Sequence, residues 1–214
     1  MRDQFLFADG YLPLNHGAFG TYPKPVRDDL HRWQDLSEAK PDTFIRYDYP
    51  NFLDAACTAI AAYLDVPTPN LAFIPNATTG FNTVLRSLVF EDGDVIIHFS
   101  TIYSAIAKTV EYICETTPAG SFNVKVEYPI RDDDLIKKFV EGLEQVKAGG
   151  KKVKMAVFDT ISSVPGVRVP WERLVKNCRD NGVLSFVDGA HGVGQIDLDL
   201  RAVEPDFFVS NLHK

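Results

Sequence analysis

The 214-residue sequence predicts an α/β fold, three layers α/β/α around a mainly parallel sheet. Three observations carry that expectation. From residue 71 onward, apolar runs of strand length alternate with stretches of helical periodicity, the order that builds a parallel sheet covered by helices. The last run, "DFFVS", is apolar on both faces, as a strand with covered faces must be. A content of 45% hydrophobic and 24% charged residues is the balance of a globular chain able to bury one good core.

Two amphipathic helices are predicted before the alternation begins. Val26, Leu30, Trp33 and Leu36 recur at helical spacing behind two prolines across residues 24–40, and Phe52, Ala56, Ile60, Tyr63 and Leu64 repeat the pattern. Then "LAFIP" (71–75) reads as a strand, 78–89 as a helix, "DVIIHF" as a strand and 103–114 as a helix. "FNVKVEY" follows as a strand, 132–147 as a helix, "KMAVFD" as a strand, 171–181 as a helix, "VLSFVD" as a strand and "DFFVS" as the last. The join between those last two is glycine-rich and too short for a long helix, so a tight excursion at the sheet edge is expected instead of a full crossover. A strand like "DFFVS" wants neighbours in the sheet, so the polypeptide is expected to continue past Lys214. No internal repeat, low-complexity tract or linker is present.

Composition excludes several function classes. The net charge is -7, from 22 Lys+Arg against 29 Asp+Glu, and no basic run exceeds "KK", which leaves no electrostatic footprint for nucleic acid. Cys57, Cys114 and Cys178 lie far apart, with no CxxC and no nearby histidine, so neither a disulfide framework nor a metal site is expected. They read as small apolar residues packed in helices. No stretch approaches the roughly 18 apolar residues of a membrane span, and no secretion signal opens the chain, so the expected compartment is the cytoplasm.

In open parallel sheets ligands gather beyond the carboxyl ends of the strands, which directs attention to the residues just after each apolar run. "LAFIP" leads into Asn76, Ala77, Thr78, Thr79 and Gly80, opening a helix that taken alone reads as one capped by a threonine and whose free N–H groups also suit a phosphate. "VIIHF" leads toward Tyr103, either a ring to stack on a planar ligand or a packing residue at a helix start. "VLSFV" leads into Asp188 and His191, and a carboxylate ending a buried strand is costly unless a cation or donor meets it. "DFFVS" leads into Asn211, His213 and Lys214. Gly189, Gly192 and Gly194 run G-x-x-G-x-G after a late strand, the reverse of a dinucleotide fingerprint. Together the rims ask for a ligand with a phosphate, a flat ring, a protonated ring nitrogen and a carbonyl for a lysine. Pyridoxal 5'-phosphate has all four.

"FVDGAHGVGQ", "PDFFVSNLHK" and "NATTGFNTVL" resemble the class V aminotransferase family of fold-type I pyridoxal phosphate enzymes, which includes cysteine desulfurases and isopenicillin N epimerase-like proteins. The resemblance implies that Lys214 attaches the cofactor, that Asp188 pairs with its ring nitrogen, and that His191 faces its phenolic oxygen. It also implies that Tyr103 stacks on the ring, and that Ala77, Thr78, Thr79, Asn211 and His213 hold the phosphate. Ser163 falls where desulfurases often carry asparagine. "LNHGAFGTYP", "FIRYDYP" and "DTISSVPGVRVP" look most like a fungal subgroup that includes hercynylcysteine sulfoxide lyases. On that basis Asn15 and His16 would form a substrate-access loop, and Arg46 would meet a substrate carboxylate or else make a surface ion pair.

The implied organisation is an N-terminal segment with the first helix over residues 1–48, then an incomplete cofactor-binding large domain over 49–214, with a small C-terminal domain beyond. The implied partners are an amino-acid substrate and a second copy in a homodimer. The implied chemistry is carbon–sulfur bond cleavage by β-elimination, with an epimerase, a cyclase or a cysteine desulfurase as alternatives. A non-catalytic scaffold of the same fold is the reading from another class.

Overall fold

Why the middle of the chain forms a sheet is visible in its burial: every residue of β1 (Asp94–Phe99) is buried, as is nearly all of β3 (Lys152–Asp159) and β4 (Leu184–Asp188). The computed structural model describes residues 1–214 and divides them into two compact units, Met1–Phe73 with His213–Lys214, and Ile74–Leu212.

The first unit is helical. A short turn, α1 (His16–Phe19), precedes α2 (Lys24–Ala39), which starts behind Pro23 with Pro25 in its first turn, where a missing N–H costs nothing. One turn, α3 (Pro41–Thr43), and a π-turn over Phe44–Asp48 lead into α4 (Tyr49–Tyr63). Aromatic packing ties these together: Trp33 lies 4.5 Å from Phe52, and Phe44 lies 6.2 Å from the same ring. The Trp33 indole N–H donates to Asp29 (3.0 Å), so its polar edge is satisfied.

The second unit alternates: α5 (Ala77–Ser87), β1, α6 (Ser104–Thr116), β2 (Gly120–Val124), α7 (Asp132–Ala148), β3, α8 (Trp171–Asp180), β4, α9 (Leu200–Val203) and β5 (Phe207–Val209). The strands lie in the order β2-β1-β3-β4-β5, all parallel. Register sorts the side chains onto two faces, because alternate residues of a strand point to opposite sides. Phe158 is level with Val187, and Phe99 and Phe158 both pack on Phe139 of α7. Phe186, one residue earlier in β4, points the other way and stacks on Phe81 of α5, ring centroids 3.9 Å apart. Helices therefore cover both faces, and the predicted three layers are present. The strand order reverses direction between β1 and β3, the kind of switch point beside which open α/β sheets bind ligands.

Three expectations need correcting. "LAFIP" is not a strand: Leu71 has extended dihedrals, but no neighbour supplies a ladder, and Phe73 and Ile74 stay 42% and 36% exposed. "FNVKVEY" yields a strand only through Val124, because its partner β1 ends at Phe99, level with that residue. The join between β4 and β5 does cross over, since the two strands are parallel, but with only the one turn of α9. The three cysteines sit in α4, α6 and α8 with no disulfide, and burial pushes the Cys178 thiol far up. No helix is long and apolar enough to cross a membrane, and no group of three or more His, Cys, Asp or Glu is placed to hold a metal.

Candidate functional site

The rim at the carboxyl ends of the strands collects most of the residues singled out in the second unit. Helix α5 is capped by Asn76, whose side-chain oxygen accepts from the Thr79 N–H (2.9 Å) and hydroxyl (3.1 Å). The cap is thus asparagine, and the threonine expected to serve as one is bound to it. Asn211, two residues past β5, accepts from the Ala77 N–H at 3.2 Å. Of the first-turn donors, the Thr78 N–H and hydroxyl have no protein acceptor. Gly80 lets this helix end lie against β5: a Cβ there would come 2.5 Å from Ile74 and 2.7 Å from Val209.

Asp188 closes β4, 6% exposed, level with Val209 of β5. Since Val209 precedes Asn211 by two residues, Asp188 and the head of α5 share one rim. By alternation Asp188 points to the same face as Phe186, the face that α5 covers. Its carboxylate accepts from the Ala190 N–H (2.9 Å), and its carbonyl accepts from the N–H (2.8 Å) and hydroxyl (3.3 Å) of fully buried Thr160. Gly189 must be small, because a Cβ there would come 2.1 Å from the Phe208 ring. Its N–H donates to Val209 (2.7 Å) and its carbonyl accepts from the Ser210 hydroxyl (2.5 Å), which pins the turn that carries His191.

Tyr103 caps α6 after β1: its carbonyl accepts from Ile106 and Ala107, and its residue surface is 45% exposed at the rim. Ser163 lies exposed in the excursion between Ile161 and Arg168, which bridge each other. Asn15, His16, Arg46, His213 and Lys214 belong to the other unit. There Asn15 precedes α1 and His16 begins it, its ring edge-on to Phe5 at 5.8 Å, while exposed Arg46 sits 3.8 Å from Asp42.

Sequence reasoning passed over Asp159. It ends β3 as Asp188 ends β4, level with it, and is 5% exposed. Burial, and then the charge of Asp188, push its carboxyl well above the ordinary carboxylate range. The signal was present: "FD" closes one apolar run as "VD" closes the next.

A parallel sheet with a capped helix end and a buried carboxylate on one rim is the arrangement beside which open α/β proteins bind ligands. The Aminotransferase class-V family profile matches residues 51–214, and the chain belongs to that family. It is 34% identical over 214 residues to "L-cysteine desulfhydrase-like protein lolT1" of Epichloe uncinata, covering 100% of this chain and 47% of that protein. It is 31% identical to "L-cysteine desulfhydrase" of Arabidopsis thaliana (96% and 47% covered) and 27% identical to "Hercynylcysteine sulfoxide lyase" of Schizosaccharomyces pombe (100% and 53%). The chain spans about half the length of the curated relatives it matches. Among solved structures, a mutant of the cystine C-S lyase C-DES, with glycine covalently linked to the PLP cofactor, superposes with a TM-score of 0.82 at 21% identity, covering 92% of this chain and 51% of that one. The fold is that of fold-type I enzymes.

Proposed function

We propose that this chain carries the cofactor-binding part of a pyridoxal 5'-phosphate-dependent carbon–sulfur lyase, which cleaves the Cβ–S bond of cysteine or a cysteine conjugate. The observation that supports this best is the pairing on one rim of buried Asp188 with the α5 head cradled by Asn211. That donor set fits the cofactor: free N–H and hydroxyl groups at Thr78 for a phosphate, and a buried carboxylate for a protonated ring nitrogen. The relatives named desulfhydrases and lyases support the sulfur chemistry.

When bound, pyridoxal phosphate supplies the electron sink for a pair released at the substrate Cα. The residues of the chain do the rest. Ala77, Thr78, Thr79 and Asn211 would hold the phosphate, and His213 is assigned the same role. Asp188 would keep a proton at the ring nitrogen. Tyr103 and His191 would contact the ring and orient it. Lys214 would hold the cofactor and carry the Cα proton, and the Tyr103 phenol would supply a proton to the departing sulfur. Asn15, His16 and Arg46 receive the substrate, Arg46 at its carboxylate. The reading includes a cytoplasmic homodimer. Within it, a cysteine sulfoxide of the ergothioneine type is the finer substrate, toward which the Schizosaccharomyces pombe relative points.

The test uses the full-length protein with cysteine, a cysteine thioether and a cysteine sulfoxide, following pyruvate and ammonia. Release of both from any of the three is expected, and release from the sulfoxide alone selects the finer reading. Inverted or cyclised product without pyruvate overturns the lyase. Protein that stays colourless with added cofactor and takes no borohydride label at Lys214 overturns the enzyme.

A further inference from the structure

Two carboxyl groups end adjacent strands at this rim, and only Asp188 has been given work. Asp159 and Asp188 are level across β3 and β4, so their backbones are separated by about one strand spacing, 4.8 Å. Their side chains leave the same face of the sheet, by the alternation that puts Phe186 against Phe81. Both are buried. Two carboxylates that close and that dry do not both ionise, so one of them keeps a proton. The asymmetry of their surroundings selects which. Asp188 accepts a hydrogen bond from the Ala190 N–H, a contact that favours a charged carboxylate, whereas the Asp159 side chain accepts none from any backbone N–H. A further titratable group that feels the charge of Asp159 is Tyr128, after β2. Its phenol is pushed up by burial, against a hydrogen bond with Ser162 that pulls it down, and more weakly by Asp159 and by Asp132 at the head of α7. Thr160, bonded twice to the Asp188 carbonyl, clamps the two strand ends so that the carboxyl pair holds its separation.

We infer that Asp159 is a neutral carboxylic acid that serves as a positioning residue for Asp188: it keeps the negative charge of the rim on Asp188 alone and offers that carboxylate an O–H. The inference rests on the cofactor reading for its purpose, because a single oriented carboxylate is what a protonated ring nitrogen needs. It does not rest on that reading for its chemistry, which belongs to the protein with or without cofactor. The site lies beside the reversal of strand order between β1 and β3, where a change in charge is felt by any ligand bound there.

Infrared difference spectra of the full-length protein, wild type minus Asp159→Asn at neutral pH, test the chemistry. A protonated-carboxyl C=O band is expected, in cofactor-free protein as well. Its absence overturns the inference, whether or not the protein binds cofactor. Its presence in protein that remains colourless with added cofactor leaves the neutral acid standing and overturns its purpose. The positioning role is read from the visible band of the cofactor-loaded protein as pH is varied. Asp159→Asn, a neutral donor of the same shape, should keep the wild-type band and pH profile, whereas Asp159→Leu, which cannot donate, should shift the profile by one pH unit or more. A shift in Asp159→Asn equal to that in Asp159→Leu would mean the wild-type group is ionised and overturns the inference. So would wild-type behaviour in Asp159→Leu.

Discussion

The sheet carries buried acids at both ends, and they are handled in opposite ways. At the amino end, Asp94 opens β1 with 6% exposure. Burial alone would raise its carboxyl, but the Lys154 ammonium at 2.8 Å and the Glu91 N–H at 2.9 Å hold it below the ordinary range. At the carboxyl end, Asp159 is no more exposed, and its nearest charge is another carboxylate, so burial prevails and the carboxyl is pushed up. The lesson is that depth does not set the state of an acid. The partner does. The Lys154 partner of Asp94 ties β3 to β1, whereas Asp159 and Asp188 bring two acids level on adjacent strands.

The comparison can be broken with four variants. The largest effect is expected from Asp188→Asn in the full-length protein: turnover should fall about 10²–10³-fold, the loss seen when a preorganised electrostatic contact is removed, while bound cofactor persists. Near-wild-type turnover would make the rim acid as structural as the one at the foot. Next, Gly189→Ala forces a methyl group into the Phe208 ring, and thermal or urea unfolding should show a loss of about 3 kcal/mol, near the top of the overpacking range.

Lys154→Met should then cost about 2 kcal/mol at pH 7 by leaving Asp94 without its cation. The sign follows from the depressed carboxyl: wild-type stability from this pair is present above roughly pH 4, the unfolded value, and is lost as pH falls through the lower folded value, so the variant and wild type should converge in acid. Convergence at high pH instead would reverse the assignment of Asp94 at the amino end. The smallest effect is Asn76→Ala, about 1 kcal/mol for a lost helix cap, together with weaker cofactor retention if α5 must stay ordered to hold a phosphate. Unchanged retention would confine Asn76 to the cap.

Much of this was legible beforehand, and the failures are physical. The apolar runs at 94–99, 154–159 and 183–188 mark strands because covered strands are apolar on both sides, and the polar residues that follow them mark the rim. "LAFIP" misleads because an apolar run records a preference for burial, while a strand also needs a neighbour's backbone. Asn76 was hidden beside two threonines, since all three residues can cap and only the turn decides which one does. Asp159 was missed for a different reason. A carboxyl beside a carboxyl is a pairing across strands, and register, which brings residues 159 and 188 level, is written in no local pattern.

The hydrogen bond from Ala77 to Asn211 joins residues 134 apart in the chain, and Gly80 meets Val209 over nearly the same span. A ribosome adding about 5–20 residues per second needs roughly 7–27 s to cover that distance. For all of that interval α5 exists, if at all, without the strand it rests on or the amide that closes its first turn. The cradle thus cannot assemble before residue 211 has been made, and a ligand that needs it has nothing to recognise until β5 has emerged and docked. Binding of that ligand reports on the docking of β5 as much as on its chemistry.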